Sequence, residues 1–216
     1  MMGTKRAFDE MFIEGAVQTV AKIGIENMRT KHAADYAGFS EATMFRHFPS
    51  KEILLRDTFL YINKQLSDIL MQSTFLRSPG SVPFELGLYA TWRKVYRYLL
   101  EHREETIYFI RYCYSSLYTD EVWDTRQTYN GGLERACETI EKYYGIEGSA
   151  YRGFLVNYIF EMTLGFAEKV ITGKIEDNQD TEDIAWLAIS GAAKSWAQKQ
   201  KRIQPDRQKD MHIPQA

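Results

Sequence analysis

The sequence predicts an all-α protein, and three observations carry that prediction. Apolar residues recur at helical intervals through almost every long segment of the 216-residue chain. No stretch shows the apolar/polar alternation bounded by hairpin turns that marks half-buried strands. The main breakers, a Gly/Pro/Ser cluster at 77–83 and turns at 145–149 and 173–180, fall between the periodic segments.

The first segment, 8–23, sets Phe8, Phe12, Ile13, Ala16, Val17, Val20 and Ile23 against Asp9, Glu14, Gln18 and Lys22, which makes an amphipathic helix. Lys5 and Arg6 precede it, as a mobile basic arm or as a solvated terminus. Residues 31–37 form a small-residue helix that stops at Gly38, which can take the left-handed conformation that ends a helix. Ser40 is a good N-cap for the run that follows. There Met44 and Phe48 share one face, while Glu41, Ala42, Phe45 and Arg46 are left outside. Helix, glycine turn and short helix make a helix-turn-helix, whose second helix fits the major groove of DNA.

Pro49 and Ser50 end the short helix, and Ser50 caps the next, where Ile53, Leu54, Phe59, Ile62, Leu66, Ile69 and Leu70 keep helical spacing. Beyond the break lie long aromatic segments at 84–102, 104–117, 122–144, 150–172 and 181–199, the third weakened by Gly131-Gly132. The basic end at 199–202, with Pro205 and Pro214 after it, reads as frayed. The expected organisation is a three-helix head at 1–50, a linking helix and hinge at 51–80, a larger helical part at 81–200 and a tail at 201–216.

Apolar residues make up 44% of the chain, enough for a substantial core. A net charge of -2 gives no general attraction for nucleic acid, so a basic footprint has to be local. Even residues 1–51 carry only +1, with Lys/Arg at 5, 6, 22, 29, 31, 46 and 51 against Asp/Glu at 9, 10, 14, 26, 35 and 41. Cys113 and Cys137 have no metal-ligand or disulfide-framework spacing, which points to no zinc site and to the reducing cytoplasm. No run approaches the roughly 20 apolar residues of a membrane span, and no apolar leader follows Met1. Nucleophile-elbow, zincin and phosphate-loop motifs are absent, so neither an enzyme nor a cofactor is expected.

From Phe12 to Leu55 the ordered features resemble the DNA-binding domain of tetracycline-repressor-type (TetR family) regulators. They are Gly24-Ile25 after the first helix, Ala33-Ala34 and Ala37-Gly38 in the second, and Thr43-Met44-Phe45-Arg46-His47-Phe48 running into Pro49-Ser50-Lys51-Glu52. The resemblance implies a double-stranded DNA operator, a homodimer, and a C-terminal domain that binds a small-molecule effector and dimerises. It places Thr43, Phe45, His47 and Lys51 where the family has threonine, tyrosine, histidine and lysine on phosphates. Phe45 lacks the tyrosine hydroxyl, so it makes an apolar contact to sugar or thymine methyl instead, or else belongs to the core. His47 could equally be a dipole-compensating end of its helix.

Ser40, Glu41, Ala42 and Arg46 lie on the same short helix. Glu41 could accept from a cytosine amino group, or simply suit the first turn of a helix. Thr30 and Lys31 open the second helix within reach of phosphate or base, and Arg29 stands where a Ser/Thr cap is usual.

In the larger part, the apolar residues of 151–170 cover more than one face, so that helix is buried on two sides. Tyr151, Leu155, Gly165 and Phe166, with the small residues Ala188, Gly191 and Ala192 of the last helix, resemble the family's four-helix dimer interface. A closed monomeric bundle is the alternative. Trp92, Tyr96, Phe109, Tyr112, Trp123, Tyr129 and Tyr158, with Met162, either line an effector cavity or form an ordinary aromatic core. Arg111 and Glu161 sit in apolar runs and could face one cavity, pair with each other, or reach solvent and the dimer rim.

Overall fold

The computed structural model describes residues 2–78, 80–128, 131–144 and 152–203. Among these residues the chain is helical throughout, without a strand: α1 (Met2–Ile23), α2 (Thr30–Tyr36), α3 (Glu41–His47), α4 (Lys51–Met71), α5 (Thr74–Arg77), α6 (Phe84–Glu101), α7 (Arg103–Cys113), α8 (Asp120–Thr128), α9 (Gly131–Tyr144), α10 (Arg152–Ile171) and α11 (Gln179–Ile203). No helix among them is long and apolar enough to cross a membrane.

The departures from expectation have local causes. α1 begins at Met2, so Lys5 and Arg6 extend a helix rather than form a mobile arm, in keeping with the helix propensity of Met, Lys, Arg and Ala. Their side chains lie outside the described residues. α11 likewise continues through the Gln/Lys/Arg run to Ile203, so 199–202 are not frayed. Residues 204–216, the rest of the expected tail, lie outside the described residues. α7 stops at Cys113, short of 117. There Ser115 Oγ donates to the Tyr112 carbonyl (2.8 Å) and accepts from the Leu117 amide (3.2 Å), offering the backbone an alternative to another helical turn. The segment expected at 122–144 is two helices, α8 and α9, and a short helix, α5, occupies part of the expected hinge.

The packing forms two compact units, residues 1–69 with 97–131, and residues 70–96 with 132–216. Residues 97–131 therefore group with the N-terminal helices rather than with the rest of the C-terminal part. The reason is α7. Tyr108 and Phe109 are fully buried, and Phe59 of α4 stacks between Phe109 (4.7 Å) and Tyr112 (4.6 Å). The Tyr108 hydroxyl donates to the Leu55 carbonyl at 2.7 Å. Arg126 of α8 is also buried in this unit. Its Nε donates to Asn63 Oδ1 (3.0 Å), its Nη1 to the Tyr118 hydroxyl (2.9 Å), and its guanidinium lies over the Trp123 and Phe109 rings.

α1 and α2 meet through small residues. A Cβ on Gly15 would stand 2.6 Å from the Ala33 carbonyl oxygen, so the helices touch backbone to backbone. Phe12, Ala16, Val20, Ala33, Ala34 and Met44 are all fully buried around that contact.

The second unit centres on α6, α10 and α11. Trp92 stacks on Tyr96 (5.0 Å) and its indole Nε1 donates to Thr163 Oγ1 (3.1 Å). Glu182 of α11 is buried; it accepts from the Tyr89 hydroxyl (2.8 Å) and pairs with Arg93.

Two outcomes are expected. Alanine normally favours a helix interior by about 1 kcal/mol over glycine. At Gly15 the backbone clash reverses that sign, and Gly15→Ala should destabilise by about 1–3 kcal/mol in urea denaturation. The second concerns pH. Burial pushes the Tyr112 phenol up to about 12 from its ordinary 10.0, and burial also raises Tyr98 and Tyr108. Their neutral forms are favoured in the fold, so stability from these groups is complete below pH 10.0 and falls as pH rises toward 12. The tyrosinate absorbance of these three rings, resolved from that of the exposed tyrosines, should then appear together with loss of helical circular dichroism, not ahead of it.

Candidate nucleic-acid interface

The site is built from the turn outward. Gly38 has φ of 75°, a left-handed conformation, and the amides of Gly38 and Phe39 donate back to the carbonyls of Asp35 (3.1 Å) and Ala34 (2.9 Å). That pair of bonds is a Schellman motif, and it sends the chain sharply out of α2. Phe39, just past the glycine, packs its ring against Phe8 (5.1 Å) and Phe12 (5.7 Å) of α1.

Ser40 then caps α3, its Oγ accepting from the Thr43 amide at 3.2 Å and sharing a hydrogen bond with the Thr43 hydroxyl at 3.0 Å. Met44 and Phe48 go inward, while Ala42, Phe45 and Arg46 are exposed. Phe45 is 44% exposed and so is not a core residue. His47 is tied inward on one side: its Nδ1 lies 2.6 Å from Asp9 Oδ1 and its ring rests against Phe8 and Phe12.

α2 starts without the usual Ser/Thr cap. The Arg29 amide donates instead to His32 Nδ1 at 3.2 Å, so the histidine three residues on supplies the acceptor. Thr30 donates its hydroxyl to the Glu41 carboxylate, which joins the first turn of α2 to the first turn of α3. Glu41 is thus engaged within the protein as well as standing at the start of α3.

Lys51 opens α4, where Ser50 Oγ accepts from the Ile53 amide at 3.2 Å. Bonds to its own backbone amide and to Ser50 hold the Glu52 carboxyl below the usual range. Arg29, Thr30, Lys31, Glu41 and Lys51 line one recess with Glu26, Asn27 and Met28. Cations from the start of α2 (Arg29, Lys31) and of α4 (Lys51) thus share one recess beside α3 with the carboxylates of Glu26 and Glu41, three positive charges against two negative. Neither Glu52 nor the recess was singled out from the sequence, although an acid in a first helical turn is a recognisable signal for the former.

The residues expected at an effector cavity are distributed over both units. Phe109 and Tyr112 belong to the stack on Phe59, and Trp123 lies beside Arg126. Trp92 and Tyr96 are buried in the second unit, and Tyr158 and Met162 are half-buried on α10. Rings in excess of a plain core are accounted for by their satisfied polar tips, as for Trp92, Tyr108 and Tyr112, whose hydroxyl donates to the Leu117 carbonyl at 3.3 Å.

Arg111 corrects the expectation of a cation facing a cavity or Glu161. Its Nη1 donates to the carbonyls of Val20 and Ala21 (3.2 Å to the latter) at the end of α1. Glu161 is exposed on α10. Tyr129 lies outside the described residues.

Of the residues expected at a dimer interface, Ala188 is exposed, and Gly165, Phe166, Gly191 and Ala192 are half-buried. A Cβ on Gly165 or Gly191 would meet nothing within 4 Å. Beside them Ile184 and Leu187 are 59% and 66% exposed, so positions 184, 187, 188 and 191 make an open apolar stripe on α11. Leu187 was legible as part of this close-packing surface, whereas Ile184 was not singled out for an interface. Tyr151 and the side chain of Leu155 lie outside the described residues. Among the described residues no group of three His, Cys, Asp or Glu could hold a metal ion.

Because α3 depends on its cap, Ser40→Ala should cost about 1 kcal/mol of stability, measured by denaturant unfolding.

Residues 12–58 match the family model described as bacterial regulatory proteins, tetR family. No curated protein matches the chain. Among solved structures, a TetR family transcription regulator from Marinobacter aquaeolei VT8 is similar with 23% identity and a TM-score of 0.73, covering 88% of this chain and 96% of that one. The fatty acid degradation regulator FadR from Bacillus halodurans is similar with 17% identity and a TM-score of 0.64, over 84% of this chain and 98% of that one. The TetR family transcriptional regulator PfmR from Thermus thermophilus gives 16% and 0.60, over 83% and 94%. At these identities the structures establish the fold, and over residues 12–58 the chain carries the helix-turn-helix that the tetR family model describes.

Proposed function

We propose that this protein is a DNA-binding transcriptional repressor that grips a palindromic operator as a homodimer in the cytoplasm and leaves it when a small molecule binds. The observation that carries this reading is the local surface: Ala42, Phe45 and Arg46 point outward from a firmly anchored α3, beside a recess lined by Arg29, Lys31 and Lys51. Phosphate contacts by such cations supply affinity, and side chains at the start of a recognition helix supply sequence preference. Thr43, Phe45 and His47 are the further candidates for backbone contact.

The open stripe of Ile184, Leu187, Ala188 and Gly191 supports a twofold partner on α11, with Gly165 and Phe166 of α10 beside it. Two heads on neighbouring major grooves must stand about 34–36 Å apart, or a multiple of that. Release follows from linkage, because an effector that prefers a conformation with wrongly placed heads weakens DNA binding by the same factor that DNA weakens the effector. A helical module that no longer reads DNA is the competing reading, and the bond that occupies Glu41 with Thr30 is what favours it.

Fluorescence anisotropy on operator and scrambled duplexes tests the reading. Lys51→Ala should weaken binding to both duplexes alike and flatten the salt dependence, whereas Glu41→Ala should change the ratio between them. Unchanged binding in the Lys51 variant would remove the recess from the interface. For the dimer, Gly191→Phe should leave the helical content of the subunit intact, since the position is open, yet shift the light-scattering mass toward one chain. A native protein that already scatters as a single chain at micromolar concentration would sink the twofold arrangement.

A further inference from the structure

We propose that Arg111 is a positioning residue that latches the reading head onto α7 and so sets the pose from which α3 meets a two-site operator. The latch rests on geometry alone; its use on an operator rests on the function proposed above.

α7 has two working faces. Tyr108, Phe109 and Tyr112 bind it to Leu55 and Phe59 of α4. Glu104, Ile107 and Arg111, spaced at i, i+3 and i+7, turn toward the end of α1. α1 and α7 also pack against each other along this face. Glu104 and Ile107 border an open cleft whose other wall includes Ala21, Lys22, Ile23 and Tyr36. One turn further along α7, Arg111 bridges the two helices, with Nη1 donating to the Val20 and Ala21 carbonyls. The last carbonyls of a helix carry its negative end, which is where a guanidinium is best placed.

The rest of the head moves with α1. Gly15 fits against Ala33 of α2, Phe8 and Phe12 hold Phe39 in the turn, and Asp9 holds His47 on α3. From Val20 to Asp9 along α1 is about 16 Å at 1.5 Å per residue. A tilt of about 10° about the latch would therefore move the far end by about 3 Å, roughly the whole length of a hydrogen bond. One cation at the end of the lever thus has leverage over base and phosphate register.

The test compares the full-length wild type with Arg111→Met, which keeps the apolar stem and removes the donors, and Arg111→Lys, which restores a cation with a single head. Palindromic duplexes selected from a random pool by the wild type are remade with the spacer lengthened and shortened by one base pair, and a single half-site serves as reference. Arg111→Met should cut the wild-type preference for its own spacer about tenfold, the scale of a lost charged hydrogen bond, with half-site affinity unchanged. Arg111→Lys should recover part of that preference.

Amide exchange supplies the DNA-independent arm. The α1 end, including Gly24, whose amide bonds the Val20 carbonyl at 3.0 Å, should exchange about tenfold faster in Arg111→Met while Leu54–Ile62 stays protected. Unchanged exchange at the α1 end overturns the latch. Faster exchange with an unaltered spacer preference overturns its role in operator pose. If Arg111→Met loosens residues 54–62 as well, Arg111→Lys decides: a folded lysine variant that recovers no spacer preference also overturns the proposal. A wild type that selects no two-site duplex fails the repressor reading instead, and the exchange arm still decides the latch.

Discussion

A seven-residue helix has no stability of its own in water, because nucleating a turn costs more than so few hydrogen bonds return. α3 is such a helix, so its existence depends on what holds it. Ser40 satisfies its first turn, Met44 and Phe48 bury one face, and Asp9 and Thr30 engage side chains at its two ends. The outward positions are free for contact because the inward ones carry all of the anchoring. α1 is the common support, and its close approach to α2 at Gly15 leaves little room for independent movement of the parts.

The same dependence explains the placement of α7. It is far from α1 in sequence, yet it belongs to the same compact unit, with aromatic rings on α4 and a guanidinium on α1. Aromatic stacking is broad and tolerant, whereas a charged donor aimed at helix-end carbonyls is directional. The two faces of α7 therefore do different work, one supplying burial and the other orientation.

Buried charge is handled in two ways. In the first unit Arg126 donates to neutral oxygens of Asn63 and Tyr118 and lies over aromatic faces. In the second, Glu182 accepts from Tyr89 and pairs with Arg93. Both arrangements keep hydrogen-bonding capacity filled while the surrounding rings exclude water, which makes each network intolerant of losing one member. The high aromatic content is in good part a consequence, since amphipathic rings offer apolar area together with a polar tip.

Much of this was legible in the sequence. Period and breakers determined most of the helices, although α1 starts six residues earlier than its apolar pattern, α5 left no signal and the segment 122–144 divides into α8 and α9. Gly38 and Ser40 determined the turn and cap, and the spacing of Met44 and Phe48 determined which side of α3 faces out. These are local choices, governed by backbone conformation and by bonds spanning at most a turn or two. Tertiary structure alone decided the partners of the charged groups. Nothing near Arg111 in sequence points to Val20, nothing near Glu41 to Thr30, and nothing near Arg126 to Asn63. A long cation can satisfy a carbonyl, a carboxylate or solvent with similar ease, so its sequence neighbourhood leaves the choice open until packing brings one acceptor within reach.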